Sequence, residues 1–372
     1  FITFNAICVL KQDGSVCAWG EDDYGGNFHH TTYGVRDGYS DTVNPSLLSS
    51  GVKHIYIKRG SGNGFFALKE DGSLVCWGHG YCNPHGSDGV RKPTPNNDES
   101  VFPEELTSGI KKVFSNYYGT CALKEDGSVV SWGYYLYGGR ITGWTGVRDL
   151  YSSAIRTSVL SSGVKDIIFN NHSFIALKED GNMCIWGRDS YGGSVHSGSL
   201  GARGVESSSI KPILLTKGYT KIVFNSGSWC VVQKDDIICW GATNYGGNIH
   251  DETYGSLAVC GVDPAIIKNV GVKDVFSSLE GYMAILNDNT IVTWGLNNGN
   301  CYNFDSSKHL MYLIDYSPKL FVEDLFPEQR MRYNSSRYYF SRPIYPQKLK
   351  EEQNVTSKVN LSNIEKIYST DK

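Results

Sequence analysis

Six variants of one sequence pattern follow one another along this chain, and their regular spacing restricts the folds that it can adopt. Each copy contains a hydrophobic run, a short polar turn, a second hydrophobic run and then Trp-Gly. Successive tryptophans are 58, 55, 54, 54 and 54 residues apart, at Trp19, Trp77, Trp132, Trp186, Trp240 and Trp294. This regularity is typical of repeat folds in which each unit buries its apolar face against a neighbouring unit.

The fourth copy predicts three short strands. Residues 164–169 have the length and the β-branched content of a strand, and two further apolar runs follow at 174–178 and 183–186. Asp180 and Gly181 join the last two runs. Asp-Gly is a strong hairpin signal, because a type I′ turn requires positive φ at its central residues. The turn glycines predicted in this way are Gly14, Gly72, Gly127 and Gly181.

Two copies lack this glycine. The fifth copy has Asp235-Asp236 and the sixth has Asp288-Asn289. Asp and Asn enter left-handed backbone conformations at some cost, so we expect these two hairpins to be slightly weaker than the others.

Tryptophan recurs once per unit at the end of a strand, which favours a structural role. A buried Trp removes roughly 150–250 Å² from water, so one per unit would anchor neighbouring sheets to each other. The alternative is an exposed aromatic ladder that stacks on bases or sugars. Trp144 and Trp229 lie outside the Trp-Gly position and are better candidates for exposed roles.

A Tyr-Gly-Gly turn follows Trp-Gly in four copies, at Tyr24, Tyr137, Tyr191 and Tyr245. Paired glycines indicate a tight reversal or a close approach of two backbones. A phosphate-binding loop would continue into a helix with Lys-Ser or Lys-Thr, and neither follows here. The connectors after this turn are polar and differ from copy to copy, as in repeat folds that bind partners through variable loops.

These features together resemble the regulator of chromosome condensation repeat family, whose unit runs from a hydrophobic strand through Leu-x-x-Asp-Gly to Trp-Gly and a Gly-rich turn. His172-Ser173 with Ala176-Leu177 matches the family's His-Ser followed by Ala-Leu. The resemblance covers about residues 1–300 and implies a β-propeller, commonly of seven blades. The chain departs from the family in having this His only once and Tyr-Gly-Gly in place of Gly-Gln-Leu-Gly.

The sequence therefore predicts an all-β fold, a β-propeller of six recognisable repeat units that is either seven-bladed or closed by the C-terminal strand. Residues 303–363 are interpreted as a divergent blade or an extended arm. Residues 364–372 are interpreted as a strand that opens or closes a further blade. Phe1 already lies in a strand-like run, which suggests a trimmed product or part of a longer chain. The expected units are 1–51, 52–109, 110–163, 164–217, 218–271 and 272–302.

Composition and motifs argue against several classes of function. The formal net charge is −3 and the pI is near 6.3, so no basic field favours nucleic acid. No apolar stretch approaches the roughly 20 residues that span a bilayer. The sequence contains no nucleophile elbow, paired catalytic carboxylates or kinase signature. We therefore expect a non-enzymatic protein that needs no cofactor, binds no nucleic acid and has no membrane span.

Ten cysteines occur, and most fall at recurring strand positions, which favours small buried hydrophobic side chains. In an extracytoplasmic protein, Cys8 with Cys17 and Cys230 with Cys239 are candidate disulfides within hairpins. No Cys-x-x-Cys spacing indicates zinc.

Histidines follow two of the Tyr-Gly-Gly turns, in His29-His30 and His250-Asp251. A metal site is one interpretation of these pairs. Lone exposed histidines are the simpler one, because no second set of ligands has a matching spacing, so no metal site is predicted.

Four Asn-x-Ser/Thr sequons occur, one at Asn171 and three close to the C-terminus, at Asn334, Asn354 and Asn360. These are candidate N-glycosylation sites, and glycosylation would require passage through the secretory pathway. Chance gives a similar number in a chain so rich in Asn, Ser and Thr. The cluster favours a secreted or cell-surface location, but the sequence leaves the compartment unknown.

Three hypotheses for function follow. The first is a structural or protein-binding scaffold, a subunit of a larger assembly, that binds protein partners or further copies of itself through the variable connectors and the 303–363 arm. The second, a guanine nucleotide exchange factor-like regulator of a small GTPase, rests on the family resemblance alone, and no stretch here matches that factor's working loops. The third is a secreted or surface glycan-binding module that uses exposed tyrosines and Trp144 or Trp229.

Overall fold

The structure, a computed structural model, describes residues 1–3, 5–37, 43–58, 64–78, 106–141, 145–205, 208–209, 215, 218–233, 236–257, 261–277 and 280–296. Within these ranges the chain forms short strands joined by tight turns, and a short α-helix, α1 (Ala265–Val270), lies before the last sheet. The strands in chain order are β1 (Ala6–Leu10), β2 (Val16–Gly20), β3 (Arg36–Asp37), β4 (Val52–Lys58), β5 (Gly64–Lys69), β6 (Leu74–Gly78), β7 (Ile110–Ser115), β8 (Gly119–Lys124), β9 (Val129–Gly133), β10 (Arg148–Asp149), β11 (Val164–Phe169), β12 (Ser173–Lys178), β13 (Met183–Gly187), β14 (Tyr219–Phe224), β15 (Ser228–Gln233), β16 (Asp236–Gly241), β17 (Val272–Ser277), β18 (Gly281–Leu286) and β19 (Ile291–Gly295).

Each repeat forms its own antiparallel sheet, with consecutive strands as neighbours. The strand orders are β1-β2, β3-β6-β5-β4, β7-β8-β9, β10-β13-β12-β11, β14-β15-β16 and β17-β18-β19. In the fourth unit, β11 has the predicted bounds, and β12 and β13 are each one residue longer than predicted. The all-β prediction is confirmed.

Among the described residues, two connectors also supply a strand, which the sequence did not reveal. β3 pairs with β6 and β10 pairs with β13, so each connector forms the outer strand of the following sheet. Arg148 of β10 holds the rest of its connector, because its Nε donates to the Ser153 carbonyl (3.0 Å) and its Nη1 to Asp189 Oδ1 (3.2 Å). These connectors are therefore partly structural rather than free loops along their whole length.

The Asp-Gly hairpins are not type I′ turns, and that prediction is wrong. In the third unit the Gly127 amide donates to the Lys124 carbonyl (3.0 Å), and the Lys124 amide donates to the Ser128 carbonyl (2.9 Å). Gly127 alone among the three loop residues has a positive φ, of 77°. This is a type I turn closed by a left-handed glycine, whose bulge matches the twist of the two strands.

The two hairpins without glycine differ from each other. Asn289 takes the left-handed position with a φ of 69°, as the sequence predicted. Asp236 instead lies in β16 and pairs with Gln233, because the fifth unit is one residue shorter at this hairpin. The connection itself, 234–235, lies outside the described residues.

Asp126 shapes its turn and gives it a pH dependence. Its Oδ1 accepts hydrogen bonds from the Ser128 hydroxyl (2.6 Å) and amide (2.9 Å), and these bonds lower the pKa of the carboxyl. A carboxyl with a lowered folded-state pKa stabilises the fold above its unfolded pKa of about 3.9. That contribution disappears as the pH falls through the folded value.

As the pH is lowered from about 5 to about 2, such a carboxylate becomes protonated. We therefore expect the melting temperature of Asp126→Asn to fall less over this interval than that of the unchanged protein. Thermal denaturation at several pH values measures this. Parallel curves for the two proteins would contradict the prediction.

In three units, a backbone amide of the following unit donates a hydrogen bond to the hairpin turn. The Gly127 carbonyl accepts a hydrogen bond from the Val164 amide (3.0 Å), and the turns at Gly14 and Gly72 make the same bond to Val52 and Ile110. These three hairpin turns are thereby joined to the starts of the second, third and fourth sheets.

Neighbouring sheets pack face to face, and their apolar side chains form the core. One cluster joins Cys121 of the third sheet to Phe174 and Trp186 of the fourth, and another joins Ile185 of the fourth to Trp240 of the fifth. The first strands of successive sheets also contact each other, β4 with β7, β7 with β11 and β14 with β17. This arrangement of sheets is that of β-propeller blades. The total number of blades stays a prediction, since residues 303–372 lie outside the described ones.

The tryptophan positions are buried in five sheets and exposed in the first. Trp186 Nε1 donates to the Gly138 carbonyl of the preceding unit (3.1 Å), and three other units repeat this bond. Trp19 is 51% exposed, because within the described residues no preceding sheet covers its face, so the expectation of a buried anchor is wrong there. At most 1% of each other side chain is exposed, at Trp77, Trp132, Trp186, Trp240 and Trp294.

The strand register separates the two candidate disulfides. Cys8 lies opposite Ala18, and Cys17 lies opposite Val9, so the two thiols leave opposite faces of the hairpin and cannot bond to each other. Cys230 and Cys239 lie directly opposite each other with their Sγ atoms 3.5 Å apart, and both are buried, so a disulfide between them stays a prediction. Burial raises the pKa of the Cys230 thiol, which disfavours the reactive thiolate.

Candidate functional site

Two kinds of loop meet at one end of the sheets. In the fourth unit Phe169, Phe174 and Trp186 are paired across the three strands. The β11–β12 loop and the turn after β13 therefore leave the sheet side by side, while the Asp-Gly hairpin leaves from the opposite end. The same register in the third and fifth units places their corresponding loops at this end too.

Aromatic rings from three consecutive units touch one another at this end. Tyr118 packs edge-on against Tyr137, with ring centroids 4.6 Å apart. His172 stacks between Tyr137 (5.0 Å) and Tyr191 (4.0 Å), and Tyr245 follows 6.1 Å from Tyr191. We call Tyr118, Tyr137, His172, Tyr191 and Tyr245 the aromatic row. It crosses the boundaries of the third, fourth and fifth units.

More exposed tyrosines extend the aromatic row on the side of the third unit. Tyr117 packs against Tyr118 (4.9 Å), and Tyr135 packs against Tyr134 (5.0 Å). Tyr117 and Tyr135 are each 37% exposed. Their rings are held by neighbouring rings and still face solvent, which gives a surface with both apolar area and hydroxyl groups.

A buried asparagine at the end of the first strand positions these loops. Asn170 Oδ1 accepts hydrogen bonds from the amides two and three residues later (2.9 and 2.8 Å), and its Nδ2 donates to the Tyr191 carbonyl (3.2 Å). Asn116 and Asn225 tie the first loop to the Tyr-Gly-Gly turn in their own units in the same way. The tyrosines of the aromatic row therefore stand on backbone that buried side chains hold in place.

Replacing Asn170 with Ala should lower the free energy of unfolding by about 2–3 kcal/mol, since buried backbone groups left without partners cost about 1–3 kcal/mol. Urea denaturation measures the loss. Asn171→Ala is the matched control, because no hydrogen bond of the Asn171 side chain exists among the described residues, and it should change the value by less than about 0.5 kcal/mol. Equal losses in the two variants would contradict this role of Asn170.

His172 is neutral at neutral pH. Burial lowers the pKa of its imidazole to about 4, while the hydrogen bond to the Ser226 carbonyl raises it and the Arg188 guanidinium lowers it. Since Nδ1 lies 3.0 Å from that carbonyl, the neutral ring carries its proton on Nδ1 and donates it there. The centre of the aromatic row is therefore uncharged.

Among the residues that the structure describes, one cation lies on the aromatic row. The Arg188 guanidinium is centred 4.7 Å from the middle of the Tyr191 ring, and it donates a hydrogen bond to the Tyr137 hydroxyl. Burial raises the pKa of Tyr137, so this hydroxyl stays protonated. Arg188 is half-buried, and no carboxylate of the described ranges forms an ion pair with it. The adjacent Asp189 is paired with Arg148 instead (3.2 Å).

Other residues singled out from the sequence lie elsewhere. Trp229, expected to be exposed, is fully buried, where it stacks with Trp240 and donates to the Ser173 hydroxyl (3.0 Å). That expectation is wrong because Trp229 occupies the inward-facing position of β15 that Phe174 occupies in β12. Trp144 and the sequons of the C-terminal segment lie outside the described residues. Asn171 is half-buried in the β11–β12 loop.

The histidines near the Tyr-Gly-Gly turns have ordinary partners. His30 Nδ1 accepts from the Thr32 amide (3.1 Å), and His250 Nε2 lies 2.9 Å from the Gly204 carbonyl. Among the described residues no group of three His, Cys, Asp or Glu side chains could hold a metal ion. No helix within the described ranges has the length and apolar character needed to cross a membrane.

Sequence reasoning missed the aromatic row. The recurring tyrosine of Tyr-Gly-Gly was visible, but its partners come from a loop 19 residues earlier and from a neighbouring unit. The doublets Tyr117-Tyr118 and Tyr134-Tyr135 were the available signal. They occur in one unit only, so the period gave them no emphasis.

Comparison with known proteins assigns neither a family nor a function. No protein-family model matches the sequence. Similar solved structures include the CRINKLY WD40 ectodomain of the Arabidopsis thaliana receptor kinase ACR4, with 14% identity, a TM-score of 0.34 and coverage of 78% of this chain and 80% of that chain.

Two further solved structures have comparable likeness. Prp20p from Saccharomyces cerevisiae, described with its binding properties to Gsp1p and histones, has 15% identity, a TM-score of 0.38 and coverage of 79% and 70%. Human WBSCR16 has 15% identity, a TM-score of 0.35 and coverage of 80% and 77%. Such distant likenesses carry no assignment of family, partner or activity, so membership of the regulator of chromosome condensation repeat family stays a prediction.

Proposed function

We propose that this chain is a non-enzymatic β-propeller that acts as a protein-binding scaffold, and that the aromatic row with Tyr117 and Tyr135 forms its binding surface. The observation that supports this best is the set of contacting tyrosines with one guanidinium at one end of three neighbouring blades. Tyr and Arg are enriched at protein interfaces and dominate their binding energies.

The rigidity of this surface also favours binding. The tyrosines pack on each other, and Asn116, Asn170 and Asn225 fix the backbone beneath them. A side chain that is already held in one position loses little conformational entropy when a partner covers it. Exposed rings of this kind are costly to leave in water, which is the usual mark of an interaction site.

Affinity capture with matched variants tests the proposal. Proteins that the unchanged chain retains are identified by mass spectrometry, purified and titrated against Tyr117→Ala, Tyr135→Ala and the control Tyr151→Ala. Tyr151 is 58% exposed but lies in the connector after β10, where its hydroxyl reaches Asn182 near the opposite end of the sheets.

The two variants in the surface should weaken binding about 10-fold or more, as hot-spot truncations do, and Tyr151→Ala should not. Equal affinity for all three variants would place the binding surface elsewhere.

A related proposal is that copies of the chain assemble through the connectors and the 303–363 arm. Native mass spectrometry of the purified chain tests it. Detection of monomer alone at high concentration would contradict this proposal.

Glycan binding is the second candidate, because half-exposed tyrosine rings also stack on sugars. A glycan array probed with the unchanged chain and with Tyr117→Ala distinguishes it from protein binding. Nucleotide exchange on a small GTPase rests on the sequence resemblance alone, and a nucleotide-release assay tests it.

A further inference from the structure

We infer that the partner of the aromatic row presents a carboxylate, from an Asp or Glu side chain in an acidic segment of a protein, to the guanidinium of Arg188. This inference rests on the proposed protein-binding function and specifies the chemistry of the partner. Arg188 contrasts with two connector arginines, Arg148 and Arg203.

Two arginines of the connectors, Arg148 and Arg203, each have several acceptors for their donors. Arg148 donates to the Ser153 and Gly146 carbonyls and to Asp189, and Arg203 donates to three backbone carbonyls of its own connector. These two side chains hold loops together. Their hydrogen bonds give them a structural role.

Arg188 has a different environment. A guanidinium has five N–H donors, and within the described ranges the acceptor for Arg188 is the single Tyr137 hydroxyl. The Tyr191 ring holds one face of the guanidinium at 4.7 Å. A half-buried cation held by a ring and a hydroxyl, with most of its donors unused, is prepared to receive an anionic acceptor.

The charges around Arg188 do not neutralise it. His172 is uncharged, and the Tyr137 hydroxyl stays protonated. Asp189 is engaged by Arg148. Because the nearby rings exclude water from part of the site, an ion pair formed there is screened less than one on an open surface.

The number of cations points to a carboxylate rather than a phosphate. Sites that recognise phosphorylated segments use clusters of arginines. Among the described residues, Arg188 is the one cation that stacks on a ring of the aromatic row, while Arg140 lies 5.9 Å from the Tyr135 ring outside the row. The planar fork of one guanidinium matches the two oxygens of one carboxylate. Apolar residues beside the acidic one would then contact the tyrosines.

A displayed library of random 12-residue peptides tests the inference with the full chain. Peptides selected by the unchanged protein should be enriched in Asp or Glu next to aromatic or aliphatic residues. Arg188→Gln should weaken these peptides about 10- to 100-fold, as expected for removing one partner of a partly buried charge pair. The control is Arg156→Gln, which should leave binding unchanged. The Arg156 side chain is 53% exposed and pairs with Asp149 on a connector.

A charge exchange makes the test specific. Arg188→Glu should lose the selected peptides and recover those in which Lys replaces the acidic residue. Thermal denaturation establishes that each variant is folded, and a variant that unfolds is replaced by Arg188→Lys, which keeps the charge and should lose only part of the affinity.

The possible failures are distinguishable from each other. Peptides that depend on Tyr117 but show no acidic preference would overturn the carboxylate inference and leave the proposed binding surface standing. Peptides that bind equally to the unchanged chain, Tyr117→Ala and Arg188→Gln would overturn both.

Discussion

Replacing Trp186 with Ala should lower the free energy of unfolding by about 3–5 kcal/mol, which is the usual cost of removing a large aromatic side chain from a packed core. The indole is fully buried between the third and fourth sheets and stacks on Phe174 with ring centroids 5.2 Å apart. Its Nε1 also donates to the Gly138 carbonyl across the unit boundary, so the substitution leaves a cavity and removes this bond, while the Ser131 hydroxyl still donates to that carbonyl.

Trp19→Ala is the matched control for this prediction. Trp19 occupies the same position of the repeat and pairs with Ile7 as Trp186 pairs with Phe174, but half of its surface is in contact with water. Its loss should cost less than half as much, because burial rather than sequence context sets the energy. Denaturant unfolding of both variants measures the difference, and equal losses would show that Trp19 is covered in the folded protein.

Gly127→Ala should cost about 2–4 kcal/mol, the second largest effect that we expect. Left-handed backbone at an L-residue with a side chain costs about 1–2 kcal/mol, and the φ of Gly127 is 77°. An added Cβ would also lie 2.8 Å from the Gly163 amide nitrogen, a contact that real side chains avoid. Relief of this clash requires the third hairpin to move away from the fourth sheet and weakens the bond from the Val164 amide to the Gly127 carbonyl.

Two further variants separate the causes of this loss. Gly198→Ala should be nearly neutral, because Gly198 has no positive φ and nothing lies within 4 Å of the added Cβ. The loss of stability in Gly127→Asn should lie between those of Gly127→Ala and Gly198→Ala. Asn enters the left-handed region more easily than Ala, but its Cβ makes the same close contact. A Gly127→Ala variant as stable as the unchanged chain would exclude this junction as a determinant of stability.

The repeated hairpins were readable from the sequence because local signals specify them. Alternating apolar residues, a turn glycine and a terminal Trp are all properties of adjacent residues, so the strands at 164–169 and 183–187 could be placed within one residue. The turn type was not readable from Asp-Gly alone. Three-residue and two-residue loops share that dipeptide, and only the hydrogen bonds between Lys124, Gly127 and Ser128 distinguish them.

Burial of the individual tryptophans depended on what covers them. Trp19 and Trp186 have the same local sequence pattern, and Trp229 lies outside it, yet Trp229 is buried and Trp19 is not. A neighbouring sheet decides each case, and that neighbour is about 54 residues away in the chain.

The sequence by itself therefore determined the unit, its period and the all-β class, since these follow from short-range patterns of apolar residues and turns. Only the tertiary structure brought Tyr118, Tyr137, His172, Tyr191 and Tyr245 into one row and placed Arg188 on it, where no carboxylate of the described residues pairs with it. The physical reason is that contacts between blades join residues far apart in the chain, whose spacing reflects the geometry of packed sheets and not the preferences of any one segment.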